Sequence, residues 1–237
     1  MYLKTIIFTI LTLFICISMN NSTISDFSKE ELLGTIDYKT DANFCEIGSE
    51  YTRKNGIYMR CKAYEAFKKM FFDAKACGIN LEIVSAGRNF NYQKGIWERK
   101  WKDGKYIKYF GADRVKNIMK YSSMPGTSRH HWGTDIDLNS LSNSYFSSGA
   151  GLKEYNWLTS HAKTYGFYQT YTSKESGRTG YEEEKWHWSY MPVAEKLLEA
   201  YNNTVKLTDI TNFNGSEYAP ELDIIKVYVN GIDSVLK

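Results

Sequence analysis

The sequence predicts an α+β fold in which a small, mainly antiparallel central sheet is flanked by helices. Short apolar or alternating runs occur at 81–86, 134–138 and 186–190, with helical periodicity in the segments between them. No regular alternation of strand and crossover helix is present, so a parallel sheet is disfavoured.

In chain order, Ser28-Lys29-Glu30-Glu31 has the spacing of a capping box and opens a short helix stopped by Gly34. Met59, Ala63, Ala66, Phe67, Met70, Ala74 and Cys77 recur at helical spacing, with Gly78 as the left-handed stop and Cys77 as a small buried hydrophobe on the stripe. Leu81 to Ala86 is β-branched and apolar, a buried strand, which leaves Ser85 to Arg88 at a strand end. Tyr92 to Lys102 and Asp113 to Tyr121 read as helices, and Met124-Pro125-Gly126-Thr127 as the turn that delivers Ser128. From Thr134 to Leu138 the residues alternate, with Asp135 and Asp137 sharing a face. Lys153 to Tyr165 is a helix stopped by Gly166, and Gly177 to Gly180 is a loop. Trp186-His187-Trp188-Ser189-Tyr190 alternates large aromatics with a polar face, as a half-buried strand does. Pro192 opens a helix to about Tyr201, and Pro220 to Val229 reads as helical.

Composition narrows the function classes. The chain has 237 residues, 43% hydrophobic and 24% charged, enough to bury a core without a disulfide scaffold. Lys and Arg total 30 against 27 Asp and Glu, too even a balance for a surface that tracks phosphates, so no nucleic-acid partner is expected. Aromatics reach 16%, a content that suits grooves for peptides or sugars as well as cores. Lys4 followed by the apolar run Ile6 to Ile17 reads as an export signal, because the run is shorter than the roughly 20 residues a membrane span needs. Cys16 in that run loosely resembles a lipoprotein cleavage site, so membrane association is expected only through a lipid at Cys16. In an oxidising compartment Cys45 and Cys61 can pair, a bridge worth about 3 kcal/mol by chain entropy.

Chemistry concentrates in two short stretches. Ser128-Arg129-His130-His131-Trp132-Gly133-Thr134-Asp135-Ile136-Asp137 brings imidazole and carboxylate to a strand entrance, and Glu184-Lys185-Trp186-His187 brings a second such pair. Two His and one carboxylate form the ligand set of a catalytic zinc whose fourth position stays open for water. Glu184 can then act as the base that moves the water proton to a leaving amine. The second His of an HExxH helix is absent and the aromatic alternation indicates strand, which excludes a thermolysin-type arrangement. His131, one residue from His130, diverges from it into the surroundings of the site or the surface. Asp135 is expected to orient an imidazole rather than ligate. His161 reads as a surface residue of a helix, and Glu182 and Glu183 as solvated loop charges.

These stretches resemble the zinc D-alanyl-D-alanine carboxypeptidases of the vancomycin-resistance type, within the lysostaphin, D-Ala-D-Ala peptidase and hedgehog superfamily. Ser128, His130, Gly133 and Asp137 match Ser-x-His-x-x-Gly-x-x-x-Asp in register, and Glu184 with His187 match Glu-x-x-His. Ser85-Ala86-Gly87-Arg88-Asn89 followed by Gln93 is similar to the family's Ser-Gly-Tyr-Arg-Ser stretch with a Gln five residues after the Arg; Ala86 and Gly87 depart from it. The resemblance runs from about Tyr58 to Tyr201. It implies a hedgehog-like peptidase fold, zinc held by His130, Asp137 and His187, and Glu184 as general base and then acid. Arg88 would stabilise the oxyanion, while Ser128 and Gln93 would hold the substrate terminus. The implied substrate is the D-Ala-D-Ala end of a peptidoglycan stem peptide, cut by a monomer exported to the periplasm or cell envelope.

The chain then divides into a signal peptide or lipoprotein leader at 1–20, an N-terminal extension at 21–57, a zinc peptidase domain at 58–201 and a C-terminal extension at 202–237 packed on it. Two other readings use the same residues. One is an endopeptidase or L,D-peptidase with the same zinc; the other is a zinc-containing domain that binds wall or a partner without turnover. Retention of both Glu184 and Arg88 argues against the latter, since binding alone needs no base.

Overall fold

The computed structural model describes residues 27–236, so the export signal and Cys16 lie outside the described residues. Helix α1 (Lys29–Leu33) starts as expected, with Ser28 Oγ accepting from the Glu31 N–H at 3.1 Å, and ends at Gly34. The Glu31 side chain does not return to close the capping box. It pairs instead with the buried guanidinium of Arg60, whose Nε–H donates to the Trp132 carbonyl at 2.8 Å. A buried Arg needs a carboxylate more than a short helix needs a second cap bond.

A two-stranded antiparallel ribbon follows, β1 (Phe44–Glu46) against β2 (Tyr58–Arg60), with a disulfide joining Cys45 to Cys61. Strand β2 takes Met59 out of the predicted helix, and α2 runs over Cys61–Ala76. Cys77 corrects the sequence reading: it is an exposed free thiol. Position 77 is the C-cap, so the last buried residue of the stripe is Ala74 and Cys77 falls past the point where the helix faces the core.

Strand β3 (Ile83–Ser85) leads into α3 (Phe90–Lys102), α4 (Gly104–Ile107) and α5 (Gly111–Ile118), the last ending short of the predicted Tyr121. Then come β4 (Asp135–Leu138), α6 (Gly149–His161), β5 (Phe167–Gln169), β6 (His187–Tyr190) and α7 (Met191–Thr204), with Pro192 in the first turn of α7. Helix α6 starts and stops four residues earlier than the spacing predicts, and the 162–165 segment continues as a tighter 3-10 turn. His161 is exposed and stacks on Trp157. The predicted helix at 220–229 reduces to a wide turn at Ile225–Val229.

The main sheet has the order β3-β4-β6-β5, every neighbouring pair antiparallel, as the α+β reading requires. Register places Asp137 opposite His187 and Asp135 opposite Ser189. One face buries Ile83, Ile136, Leu138, Phe167 and Trp188 against Phe67 and Met70 of α2 and Leu158 of α6. A second apolar cluster joins Leu32, Trp97, Trp132 and α7 to Val205, Ile210, Phe213, Ile224 and Ile232 from the C-terminal segment. Among the described residues no helix is long and apolar enough to cross a membrane.

Candidate active site

The site forms on the polar face of β4 and β6, where an alternating strand must put Asp135, Asp137, His187 and Ser189 on one side. His130 enters from a 3-10 turn at Arg129–Trp132 that ends in Gly133 at φ +68°. A side chain at 133 would strain that left-handed backbone and would meet the Phe44 ring, with the Arg60 backbone N 3.1 Å away, so glycine is required to swing the chain from His130 into β4. The loop after β3 supplies the opposite wall. The Gly87 N–H donates to the Tyr58 carbonyl at 2.8 Å and the Arg88 N–H to the His130 carbonyl at 3.0 Å. A Cβ on Gly87 would come within 2.6 Å of the Tyr58 carbonyl oxygen, which explains glycine where the family motif has tyrosine.

His131 is not on the surface; it is fully buried as a strut. Its Nδ1–H donates to the Arg88 carbonyl at 2.6 Å and its Nε2 accepts from the Gly126 N–H at 2.9 Å. Burial pushes its pKa down to about 3, against the pull of that carbonyl, so it serves as a neutral brace for the Arg88 loop.

The two aspartates play different parts. Asp135 accepts from Thr134 and Ser189 on one oxygen at 2.8 and 2.7 Å, and from Arg129 and His187 on the other at 3.0 and 2.8 Å. With every acceptor direction used, it fixes the His187 ring with Nε2–H outward and Nδ1 turned to the site. His130 is oriented in the same way, because its Nδ1 faces the Ala86 carbonyl at 2.8 Å and must carry the proton. The two free nitrogens, His130 Nε2 and His187 Nδ1, then lie 3.3 and 3.2 Å from the same oxygen of Asp137. His130 Nε2 is buried with no hydrogen-bond partner.

Two bare ring nitrogens facing one carboxylate are three acceptors in contact, an arrangement that a cation satisfies. The three donor atoms lie within 4.8 Å of one another, and all three residues are buried. Electrostatics point the same way. Burial opposes charge on His187, but its hydrogen bonds to the Asp135 and Asp137 carboxylates outweigh it and push its pKa up to about 9, so that without a cation the site takes up a proton at Nδ1, the position a metal would fill. Burial alone would raise Asp137; His130, His187 and Arg88 around it hold it well below the usual carboxylate range. His130 is lowered by burial and by Arg88. The donor set of His130, Asp137 and His187 therefore fits a divalent metal of the borderline kind that nitrogen and carboxylate ligands select.

Glu184 stands beside this triad, with Oε2 3.5 Å from His187 Nδ1. Burial raises its pKa to about 7, against the nearby His187 and Arg88 charges. Arg88 reaches in from the opposite wall, its Nη2 3.9 Å from Asp137 and its Nε buried without a partner. All of these line one cavity of about 270 Å³. Its closed end holds Ser128 and Tyr181, whose hydroxyls are buried and unpartnered; its open end is bordered by the exposed Tyr121 and Leu141. Gln93 lies outside the lining. Its amide donates to the Ser123 carbonyl at 2.8 Å and so holds a segment that does line the cavity.

Sequence reasoning missed Tyr181, Tyr171, whose ring sits 4.7 Å from that of His187, and Lys100, which lines the cavity from α3. Tyr181 had one signal, its spacing three residues before Glu184. Glu182 is half-buried and pairs with Lys174 at 2.9 Å, and Glu183 is half-buried as well.

Comparison with known proteins agrees with this geometry. YodJ of Bacillus subtilis is 33% identical over 155 residues, 63% of this chain. The chain spans about half the length of the curated relatives it matches, 52% of one and 58% of another. Among solved structures, VanYB in complex with D-alanine-D-alanine superposes with a TM-score of 0.54 at 24% identity, covering 72% of this chain and 93% of that one. The vancomycin-resistance D,D-pentapeptidase VanY in complex with Zn(II) gives 0.53 at 22%, covering 75% and 93%. These two likenesses show the fold. The family model for VanY, D-alanyl-D-alanine carboxypeptidase, matches residues 56–193, more than half of the chain and a range that includes Arg88, His130, Asp137, Glu184 and His187. The chain belongs to the VanY D-alanyl-D-alanine carboxypeptidase family.

Proposed function

We propose that this chain is a zinc-dependent carboxypeptidase that removes the terminal D-Ala from peptidoglycan stem peptides ending in D-Ala-D-Ala. The observation that carries the reading is the convergence, in one cavity, of a buried two-His, one-Asp donor set with Glu184 and Arg88 on either side of it. His130, Asp137 and His187 hold the metal in this reading. Zinc, when bound there, supplies Lewis-acid polarisation of the scissile carbonyl and makes a water acidic enough to attack at neutral pH.

The protein's own groups do the rest. Glu184 accepts a proton from the attacking water and returns it to the leaving amine, so that water adds across the amide, the C–N bond breaks and the base is regenerated. Arg88 donates to the oxygen on which negative charge develops, a contribution of about 3 kcal/mol for a donor of this kind. Ser128 and Tyr181 offer their unpartnered hydroxyls to the terminal carboxylate at the closed end. Gln93 holds Ser123 in the wall beside them. Asp135 and Arg129 keep His187 in the tautomer that leaves Nδ1 free. The Cys45–Cys61 bridge supports export to an oxidising cell envelope.

A pair of peptides tests this. Acyl-D-Ala-D-Ala should release free D-Ala, and its C-terminal amide should release little, because the closed end would leave its hydroxyls without the anion they face. Equal cleavage of both would replace the carboxypeptidase reading with an endopeptidase one. Metal analysis is the second readout: about one zinc per chain in protein purified without added metal, kept in Glu184→Gln and lost in His187→Ala. Full activity in a chelated, metal-free sample would overturn the zinc assignment.

A further inference from the structure

Lys100 is the charged residue of the cavity lining that the roles above leave unused. It projects from α3 into the cavity wall, half-buried, and no carboxylate among the described residues lies within ion-pairing distance of its ammonium. The two arginines that line the cavity with it differ in this respect from Lys100: Arg88 has Asp137 at 3.9 Å and Arg129 has Asp135 at 3.0 Å. An ammonium partly stripped of water and given no counter-ion is costly unless a ligand supplies the charge. Burial lowers the pKa of Lys100, and the more distant Glu184 only partly opposes this.

Its place in the cavity says which part of a ligand it meets. The closed end, with Ser128 and Tyr181 almost without exposure, takes the leaving residue. The peptide must then leave through the open end, past Tyr121 at 49% and Leu141 at 56% exposure. Lys100 lies toward this end: it is half-exposed where Ser128 and Tyr181 are buried, and α3 carries it one turn beyond Ile96 of the same wall. The apolar lining there, from Ile96, Leu141 and Trp186, would carry the stem of a side chain while the ammonium meets its tip.

We infer that Lys100 selects stem peptides bearing a carboxylate on the acyl side of the scissile bond, through an ion pair at the open end of the cavity. The inference rests on the carboxypeptidase reading for the direction in which the peptide lies. It makes Lys100 a specificity-determining residue, with its effect on which peptide is accepted rather than on the chemical step.

Three N-acetylated peptides X-D-Ala-D-Ala, with X as Glu, Gln or Lys, test it. The parent should prefer the Glu peptide to the Lys peptide by about tenfold in kcat/KM. Lys100→Gln should bring that ratio within about twofold of unity, and Lys100→Glu should reverse it. The same gradation should appear in calorimetric Kd values on zinc-loaded Glu184→Gln protein, where the peptides stay uncut. A parent that does not distinguish Glu from Lys overturns the inference. So does a Lys100→Gln variant that slows all three peptides by one common factor, because that is the signature of a cation that only tunes Glu184. Graded Kd values without cleavage of any peptide by the parent would support Lys100 as the selector while overturning the carboxypeptidase reading.

Discussion

The four-stranded sheet builds two unlike faces from the same strands. On β4 and β6 the residues Ile136, Leu138 and Trp188 point to one side, and Asp135, Asp137, His187 and Ser189 to the other. The apolar face is stabilised by burial and needs no partner of a particular kind. The polar face is equally buried but survives only because its charges are matched, Arg129 to Asp135 and the imidazoles to both aspartates. A sheet with one dry face can therefore carry a dense ionic site on the other: its stability comes from one register of residues and its chemistry from the alternate register.

Substitutions should separate the two. The largest effect belongs to Glu184→Gln, which keeps the shape of the side chain and cannot take a proton; turnover should fall about 10³-fold with Tm and zinc content unchanged. A variant within a few-fold of the parent would remove Glu184 from the mechanism. Asp135→Asn should cut across the comparison, because it strips the counter-charge from a fully buried Arg129 and the acceptor from His187. A loss of about 3–5 kcal/mol in denaturant unfolding is expected, together with weaker zinc binding. Unchanged stability would show that Arg129 finds another partner.

Ile136→Ala, one residue away on the dry face, should cost about 2–4 kcal/mol through a cavity while leaving kcat of the folded fraction intact. If kcat fell with stability, the two faces would be mechanically coupled. The smallest effect lies far from the sheet, where Lys29 bonds Asp209 at 2.9 Å and ties α1 to the C-terminal segment. The hydrogen bond from Lys29 lowers the Asp209 pKa, so the pair stabilises above the ordinary carboxylate value of about 4 and is lost as pH falls through and below it. Asp209→Asn should cost under about 1 kcal/mol near neutrality, with no difference from the parent at acid pH.

The polar face was the more legible of the two from sequence. Ser128, His130, Gly133, Asp137, Glu184 and His187 stand in two short stretches, and strand alternation alone puts the aspartates and His187 on one side. Residues brought in by tertiary structure left no such mark: Lys100 lies on a helix whose own periodicity says nothing of a cavity, and Tyr171 reaches His187 from a loop after β5. Strands β1, β2 and β5 are three residues long, too short for a period of two to register. His131 looked peripheral because it neighbours His130 in sequence, yet in a 3-10 turn its ring points into the protein, where two backbone groups need partners. Helix ends were misplaced where a competing contact ended the helix or took over its first residues, as with Met59.

Helix α2 also acts as a proofreader of covalent structure. Cys61 opens it and Cys77 caps it, so once wound it holds these thiols roughly 24 Å apart at 1.5 Å per residue. A disulfide needs its Cα atoms within about 7 Å. During oxidative folding the wrong pairing of Cys61 with Cys77 is therefore open only to a chain whose helix has not formed, and a chain that winds α2 first leaves Cys45 as the partner within reach of Cys61. An ordinary local secondary structure thus removes one of the three cross-links open to the thiols of the described residues before the catalytic face is assembled.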